Sequence, residues 1–126
     1  MSNLETLEKA IKSNTKIIWI ESPTNPTLKL CDIEEVCKIA KKNNVLAFVD
    51  NTFSSPLITN PILLGADVVM HSCTKYIGIC LVIILGGHSD ITMGVLLTNN
   101  KELHEKLFFA AKSIGGCPSN FDCYLA

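Results

Sequence analysis

No segment of this sequence stays apolar long enough to cross a bilayer. The longest unbroken apolar run, Ile79 to Leu85, falls far short of the about 20 residues a membrane helix needs. A basic block is also missing. The formal net charge is -1, and Lys9, Lys12, Lys16, Lys38, Lys41 and Lys42 are interleaved with acids and amides. That pattern lacks the electrostatic footprint of a nucleic-acid binder. The six cysteines, Cys31, Cys37, Cys73, Cys80, Cys117 and Cys123, form no Cys-x-x-Cys unit, and four lie in or beside apolar segments. They read as reduced core residues rather than disulfides or zinc ligands. His71 and His104 have no partners at metal-ligand spacing, so a metal is not expected. Neither an internal repeat nor a low-complexity tract occurs. The amino terminus, Met1 to Lys12, lacks the apolar centre and cleavage site of a secretory signal, which predicts a cytoplasmic protein.

What is present is a chain of 126 residues, 48% of them apolar, enough for one core. Ser2 and Glu5 form a capping box before Leu4, Leu7 and Ile11, predicting a short first helix. Ile17 to Ile20 is a compact apolar run ending at Glu21-Ser22-Pro23, predicting a strand buried on both faces. Asp32 and Glu35 repeat the capping logic. Behind them Ile33, Val36, Cys37 and Ala40 line one helical face, opposite Lys38, Lys41 and Lys42. Val45 to Val49 predicts a second strand ending at Asp50. Pro61 to Leu64 predicts a short helix closed by Gly65, and Ala66 to Met70 a third strand delivering His71 and Ser72. Thr92 to Thr98 reads as a fourth strand. Leu103, Leu107, Ala111 and Ile114 mark a long helix ending at Gly115 and Gly116.

Alternating strands and helices predict an α/β fold with a mostly parallel sheet flanked by helices. Right-handed crossovers then gather the carboxyl ends of the parallel strands along one edge. Asp50, Ser72 and the loop from Glu21 to Thr27 share that edge. Ser72 and Thr74 lie two residues apart, so in extended backbone both hydroxyls face one side, where they suit a phosphate. Lys75 follows directly as a candidate Schiff-base amine. An acid at the neighbouring strand end suits a protonated heteroaromatic nitrogen. Together these groups suit pyridoxal phosphate. Spacing alone leaves other readings open: a solvated surface lysine, hydroxyls that merely close a turn, and an Asp50 that caps the next turn. A hydrolase relay of His88, Ser89 and Asp90 fails, because adjacent residues do not reach relay geometry.

Five segments carry a more specific signal. They are Glu21-Ser22-Pro23-Thr24-Asn25-Pro26-Thr27, Val49-Asp50-Asn51-Thr52-Phe53, Ser72-Cys73-Thr74-Lys75-Tyr76, Gly87-His88-Ser89-Asp90 and Asp122-Cys123-Tyr124-Leu125. Taken together they resemble the pyridoxal-phosphate enzymes of cysteine and methionine metabolism, in order and, up to Tyr76, in spacing. The closing Pro118 to Leu125 favours the gamma-lyases of that family over its beta-lyases. The resemblance implies the central part of the large cofactor-binding domain of an aspartate-aminotransferase-like fold. It further implies that Lys75 holds the cofactor covalently, Asp50 pairs with its pyridine nitrogen, Ser72 and Thr74 bind its phosphate, and Asn25 lies near its phenolic oxygen. The implied reaction is gamma-elimination of L-cystathionine to cysteine, 2-oxobutanoate and ammonia in a homotetramer acting on small amino-acid substrates.

The sequence departs from the family in two ways. Ile77 to Gly86 separate Lys75-Tyr76 from Gly87-His88, where the family has only a couple of residues, which implies an insertion at about 79–86. The resemblance also covers only the middle of the family's length, so residues 1–126 are expected to be a partial large domain. Missing on this reading are the upstream region and a carboxy-terminal domain with the arginine that grips the substrate carboxylate. Low activity of the isolated chain is therefore expected. The competing expectation is a non-catalytic fragment acting as an interaction module with a full-length subunit.

Overall fold

The structure is a computed structural model that describes residues 4–77 and 91–125. Helix α1 spans Leu4–Ala10, strand β1 Ile17–Glu21, α2 Ile33–Lys42, β2 Leu46–Asp50, α3 Ser55–Ile58 and β3 Val68–Ser72. Strand β4 spans Gly94–Leu97, α4 Lys101–Ile114 and α5 Asn120–Leu125. The expected insertion and the segment Gly87 to Asp90 lie outside the described residues, as do Ser2 and Cys80.

The four strands form one sheet in the order β1-β2-β3-β4. Strand β2 runs parallel to both β1 and β3, while β4 returns antiparallel along β3. The sheet is thus mostly parallel with helices beside it, as the alternation of elements predicts. Its register is extended past the strand ends by Asp67, whose N–H donates to the Ala47 carbonyl at 3.0 Å while its Oδ2 accepts the Ala47 N–H at 2.8 Å.

Helix α2 begins where the sequence places its cap. Asp32 Oδ1 accepts the Glu35 N–H at 3.0 Å, satisfying one donor of the open first turn. The Glu35 carboxylate in turn pairs with Lys38 Nζ at 2.7 Å. The buried face of α2, Ile33, Val36, Cys37 and Ala40, packs on Ile18, Ile20, Ala47, Val49 and Val69 of the sheet, and Leu7 of α1 joins them. These strand residues share one face because side chains alternate along a strand. At the end of the crossover, Gly65 has φ +99°, and a Cβ there would stand 3.3 Å from Cys37 Cβ. Only glycine takes both that backbone and that approach without cost.

Two expectations are corrected. Strand β1 is not buried on both faces: Ile18 and Ile20 are, whereas Ile17 and Trp19 are 47% and 55% exposed. The helices α1 and α2 that meet the core cover only one side of this strand. Trp19 instead stacks on Phe48 at 5.6 Å and 28°. Residues Pro61 to Gly65 form successive turns rather than a helix, with Leu63, Leu64 and Gly65 N–H groups each bonding three residues back. The short helix of this crossover lies earlier, at Ser55–Ile58, with Pro56 in its first turn, a position that proline tolerates.

Helix α4 starts on Asn100, whose Oδ1 accepts the Leu103 N–H at 3.0 Å, and ends on Gly115 at φ 78°. The apolar stripe read from its sequence is not buried: α4 has no buried residue, and Phe108, Phe109 and Ile114 are exposed. Among the cysteines Cys37 and Cys73 are buried, Cys31 is half-buried, and Cys117 and Cys123 are exposed, all five as free thiols. The core reading therefore holds for Cys37 and Cys73 and fails for Cys117 and Cys123. No helix among the described residues is long and apolar enough to cross a membrane.

Candidate functional site

Parallel register places the strand ends together. Glu21 pairs with Asp50, and Asp50 with Met70. Ser72, two residues beyond Met70, lies on the same face of the sheet as Asp50 by strand alternation. His71 and Val69 lie on the other face, over the core.

A single threonine joins the two strand ends that matter most. The Thr52 N–H donates to Asp50 Oδ1 at 3.0 Å, closing the turn that follows β2 and fixing one carboxylate oxygen. Thr52 Oγ1 accepts the Ser72 N–H at 2.8 Å and lies 3.7 Å from Met70 Sδ. The end of β3 is thereby tied to the acid of β2. Nothing in the pattern of apolar runs singles out Thr52. Its sequence signals are the Asp50-Asn51-Thr52 spacing of an Asx turn and its place in the segment Val49 to Phe53, and its bond to Ser72 depends on the register between two strands.

After Ser72 the chain turns. The Lys75 N–H bonds the Ser72 carbonyl at 3.2 Å, so the extended alternation that would align the Ser72 and Thr74 hydroxyls stops at Ser72. Thr74 Oγ1 accepts the Met93 N–H at 3.1 Å and donates to the Met93 carbonyl at 3.4 Å. Its hydroxyl ties the turn to the approach of β4. Cys73, between the two hydroxyl residues, is buried, and burial pushes its thiol pKa up, so it anchors the turn rather than acting as a nucleophile. Lys75 is exposed at the tip. The rings of Phe53 and Tyr76 meet edge to face at 6.3 Å and 84°, bringing the turn that carries Lys75 against the turn that follows Asp50.

Asn25 is exposed in the turn after β1. That loop is held by Thr24 and Thr27 hydroxyls 2.8 Å apart and by the Lys29 N–H on Thr24 Oγ1 at 3.0 Å. The structure thus brings Asp50, Ser72, Thr74 and Lys75 onto adjoining turns at one sheet edge and places Asn25 on the loop leaving the neighbouring strand. A carboxylate, two hydroxyls and a primary amine so grouped fit a phosphorylated, nitrogen-containing aldehyde such as pyridoxal phosphate.

A mostly parallel sheet with an acid, hydroxyls and a lysine at its carboxyl edge defines a cofactor-binding α/β protein. The chain belongs to the Cys/Met metabolism PLP-dependent enzyme family, whose model matches residues 1–126. It is 52% identical to cystathionine gamma-lyase of Saccharomyces cerevisiae across 97% of this chain and 30% of that protein. The crystal structure of the yeast enzyme superposes with a TM-score of 0.85, again over 97% of this chain and 30% of the other. Similarity extends to a cystathionine gamma-synthase of Mycobacterium leprae, 46% identical over 99% of this chain and 30% of that protein. The chain spans about a third of the length of these relatives.

Proposed function

We propose that this chain is the cofactor-holding part of a trans-sulfuration lyase that carries out gamma-elimination of L-cystathionine to cysteine, 2-oxobutanoate and ammonia. The observation that carries the reading is the double use of Thr52, which holds Asp50 and Ser72 at one edge while the Phe53–Tyr76 contact brings the Lys75 turn beside them. When bound, pyridoxal phosphate supplies an electron sink for carbanions formed on the substrate. Asp50 keeps the ring nitrogen protonated, a role that its position beside the strand end and its fixed Oδ1 support. Ser72 and Thr74 offer hydroxyl groups to the phosphate, and Asn25 offers an amide to the phenolic oxygen. Lys75 Nζ is the covalent anchor and, when free, the base that moves protons at the alpha and beta carbons of the substrate.

The amino-acid substrate, a homotetrameric assembly and a cytoplasmic location belong to the same reading. So does the division of the chain as a partial large domain, 1–126, with an insertion at about 79–86. All eleven basic side chains counted as lysine or arginine are lysines. This segment therefore offers no guanidinium for the two-pronged grip on a substrate carboxylate that favours arginine. The isolated chain is accordingly weak or inactive as a lyase. A second reading, a non-catalytic module that docks on a full-length subunit, is favoured by the unburied α4 and the exposed Ile17 and Trp19.

One titration separates the two. Addition of pyridoxal phosphate to the chain is expected to give the visible absorption of a lysine-bound cofactor, absent in Lys75→Ala, with little release of 2-oxobutanoate from cystathionine. No such absorption removes the catalytic reading and leaves the docking module; release at a rate near that of full-length lyases removes the claim of weak activity.

A further inference from the structure

Three residue pairs join β2 to β3, Phe48–Val68, Val49–Val69 and Asp50–Met70, against five between β1 and β2 and four between β3 and β4. The junction that sets Ser72 against Asp50 is therefore the shortest in the sheet. Side chains alternate with a period of two, so sliding β3 by two residues keeps every side chain on its own face. The apolar pattern alone leaves this register open.

Polar bonds close the junction at both ends. At the carboxyl end the Asn51 N–H donates to the Met70 carbonyl at 2.9 Å and the Ser72 N–H to Thr52 Oγ1 at 2.8 Å. At the amino end one residue makes two bonds to one partner. The Asp67 N–H donates to the Ala47 carbonyl at 3.0 Å, and Asp67 Oδ2 accepts the Ala47 N–H at 2.8 Å. A side-chain oxygen stands here where a strand carbonyl ordinarily accepts. Ala47 is 1% exposed, so its N–H cannot turn to water once the carboxylate is withdrawn, and a buried donor without an acceptor is costly. Sliding β3 in either direction breaks this pair of bonds.

Asp67 is itself held from behind. The Gly65 N–H bonds the Ile62 carbonyl at 3.1 Å and the Ala66 N–H the Pro61 carbonyl at 3.0 Å, while Gly65 lies so close to α2 that a Cβ there would stand 3.3 Å from Cys37 Cβ. The turn before Asp67 thus fixes it against the helix that covers the core. It takes no part in the chemistry proposed above, because Ser72 lies roughly 17 Å further along the strand.

We infer that Asp67 is a positioning residue for the site at the opposite end of the strands: its carboxylate pins β3 to β2 in the register that brings Ser72 to Thr52 and Asp50. The consequence for cofactor binding rests on the function proposed above, whereas the pinning of the register does not.

The test compares the full chain with Asp67→Ala, which removes the acceptor, and Asp67→Asn, which keeps an acceptor oxygen of the same reach. Amide hydrogen exchange at Asn51 and Ser72, at the far end of the junction, is expected to quicken at least about tenfold in the alanine variant, the equivalent of one lost hydrogen bond. Exchange at Leu46, whose N–H bonds the Lys16 carbonyl on the β1 side at 3.0 Å, is expected to change less than about twofold. The asparagine variant is expected to match the parent at all three amides. Pyridoxal phosphate binding is expected to weaken about tenfold in the alanine variant alone. Unchanged exchange at Asn51 and Ser72 in Asp67→Ala overturns the inference, and so does equal quickening at Leu46, which reports a general loss of stability. An alanine variant that does not fold, or an asparagine variant that behaves as the alanine one does, overturns it as well. Cofactor binding by Asp67→Ala as tight as the parent's removes the link to the site. No binding by the parent chain removes the proposed function instead, and the exchange measurement alone then decides the role of Asp67.

Discussion

Thr52 and Ser72 lie 20 residues apart in sequence and are joined by a 2.8 Å bond from the Ser72 N–H to Thr52 Oγ1. The same threonine holds Asp50 Oδ1 through its own N–H at 3.0 Å. One residue therefore spans the acid and the hydroxyl strand ends, which in the sequence belong to separate motifs.

Thr52→Val keeps the shape and the backbone bond to Asp50 but leaves the part-buried Ser72 N–H without its acceptor. Loss of such a partner costs about 1–3 kcal/mol. The substitution is expected to lower stability by that amount in urea unfolding and to weaken pyridoxal phosphate binding with it. Thr52→Ser, which keeps the hydroxyl, is expected to recover most of both. Equal losses in the two variants would assign the effect to the methyl group instead.

Helix α1 offers a contrast between a contact that is visible and one that matters. Glu8 Oε1 pairs with Lys42 Nζ at 2.9 Å, but both side chains are largely exposed, and an exposed ion pair contributes about 0–1 kcal/mol. Leu7, beside it, is 4% exposed in the core cluster, and deleting such a side chain costs about 2–5 kcal/mol. Glu8→Ala is expected to leave the unfolding midpoint almost unchanged, whereas Leu7→Ala lowers it clearly.

The Cys37 thiol is pushed from its ordinary 9.0 up to about 11, chiefly by burial and then by the nearby Asp67 and Cys31. The folded state therefore keeps this proton in a pH range where the unfolded chain releases it. Its contribution to stability is complete below pH 9 and declines as pH rises towards 11, by on the order of 2 kcal/mol. Cys37→Ala is expected to flatten that alkaline decline. In alkylation at pH 8 the exposed Cys117 and Cys123 react first, and Cys37 and Cys73 react only on unfolding.

Elements whose identity depends on nearby residues were legible in the sequence. The Asp32 cap, the apolar face of α2 and the runs ending at Glu21, Asp50 and Ser72 all fall where the structure has them. Features that depend on what covers a surface were not. The run Ile17 to Ile20 is equally apolar on both sides, and only the placement of α1 and α2 shows that Ile18 and Ile20 are the buried pair. Pro61 to Leu64 carries helix-like apolar residues, but the chain spends them on turns that deliver Ala66 and Asp67 to the sheet. At the site, the order of Asn25, Asp50, Ser72, Thr74 and Lys75 was readable from motifs. The Thr52 bond to Ser72 and the engagement of Thr74 with Met93 were not, because each joins residues whose proximity is created by pairing of β3 with its neighbours.

The stack of Trp19 on Phe48 gives this protein an optical reporter. It holds a single tryptophan, half-exposed on β1 and two residues before the Glu21–Asp50 pair, a step of roughly 7 Å along a strand. Its emission will shift to the blue when another surface covers this side of β1. A chromophore held between Asp50 and Lys75 will quench it by energy transfer, so one fluorescence trace distinguishes docking from cofactor capture.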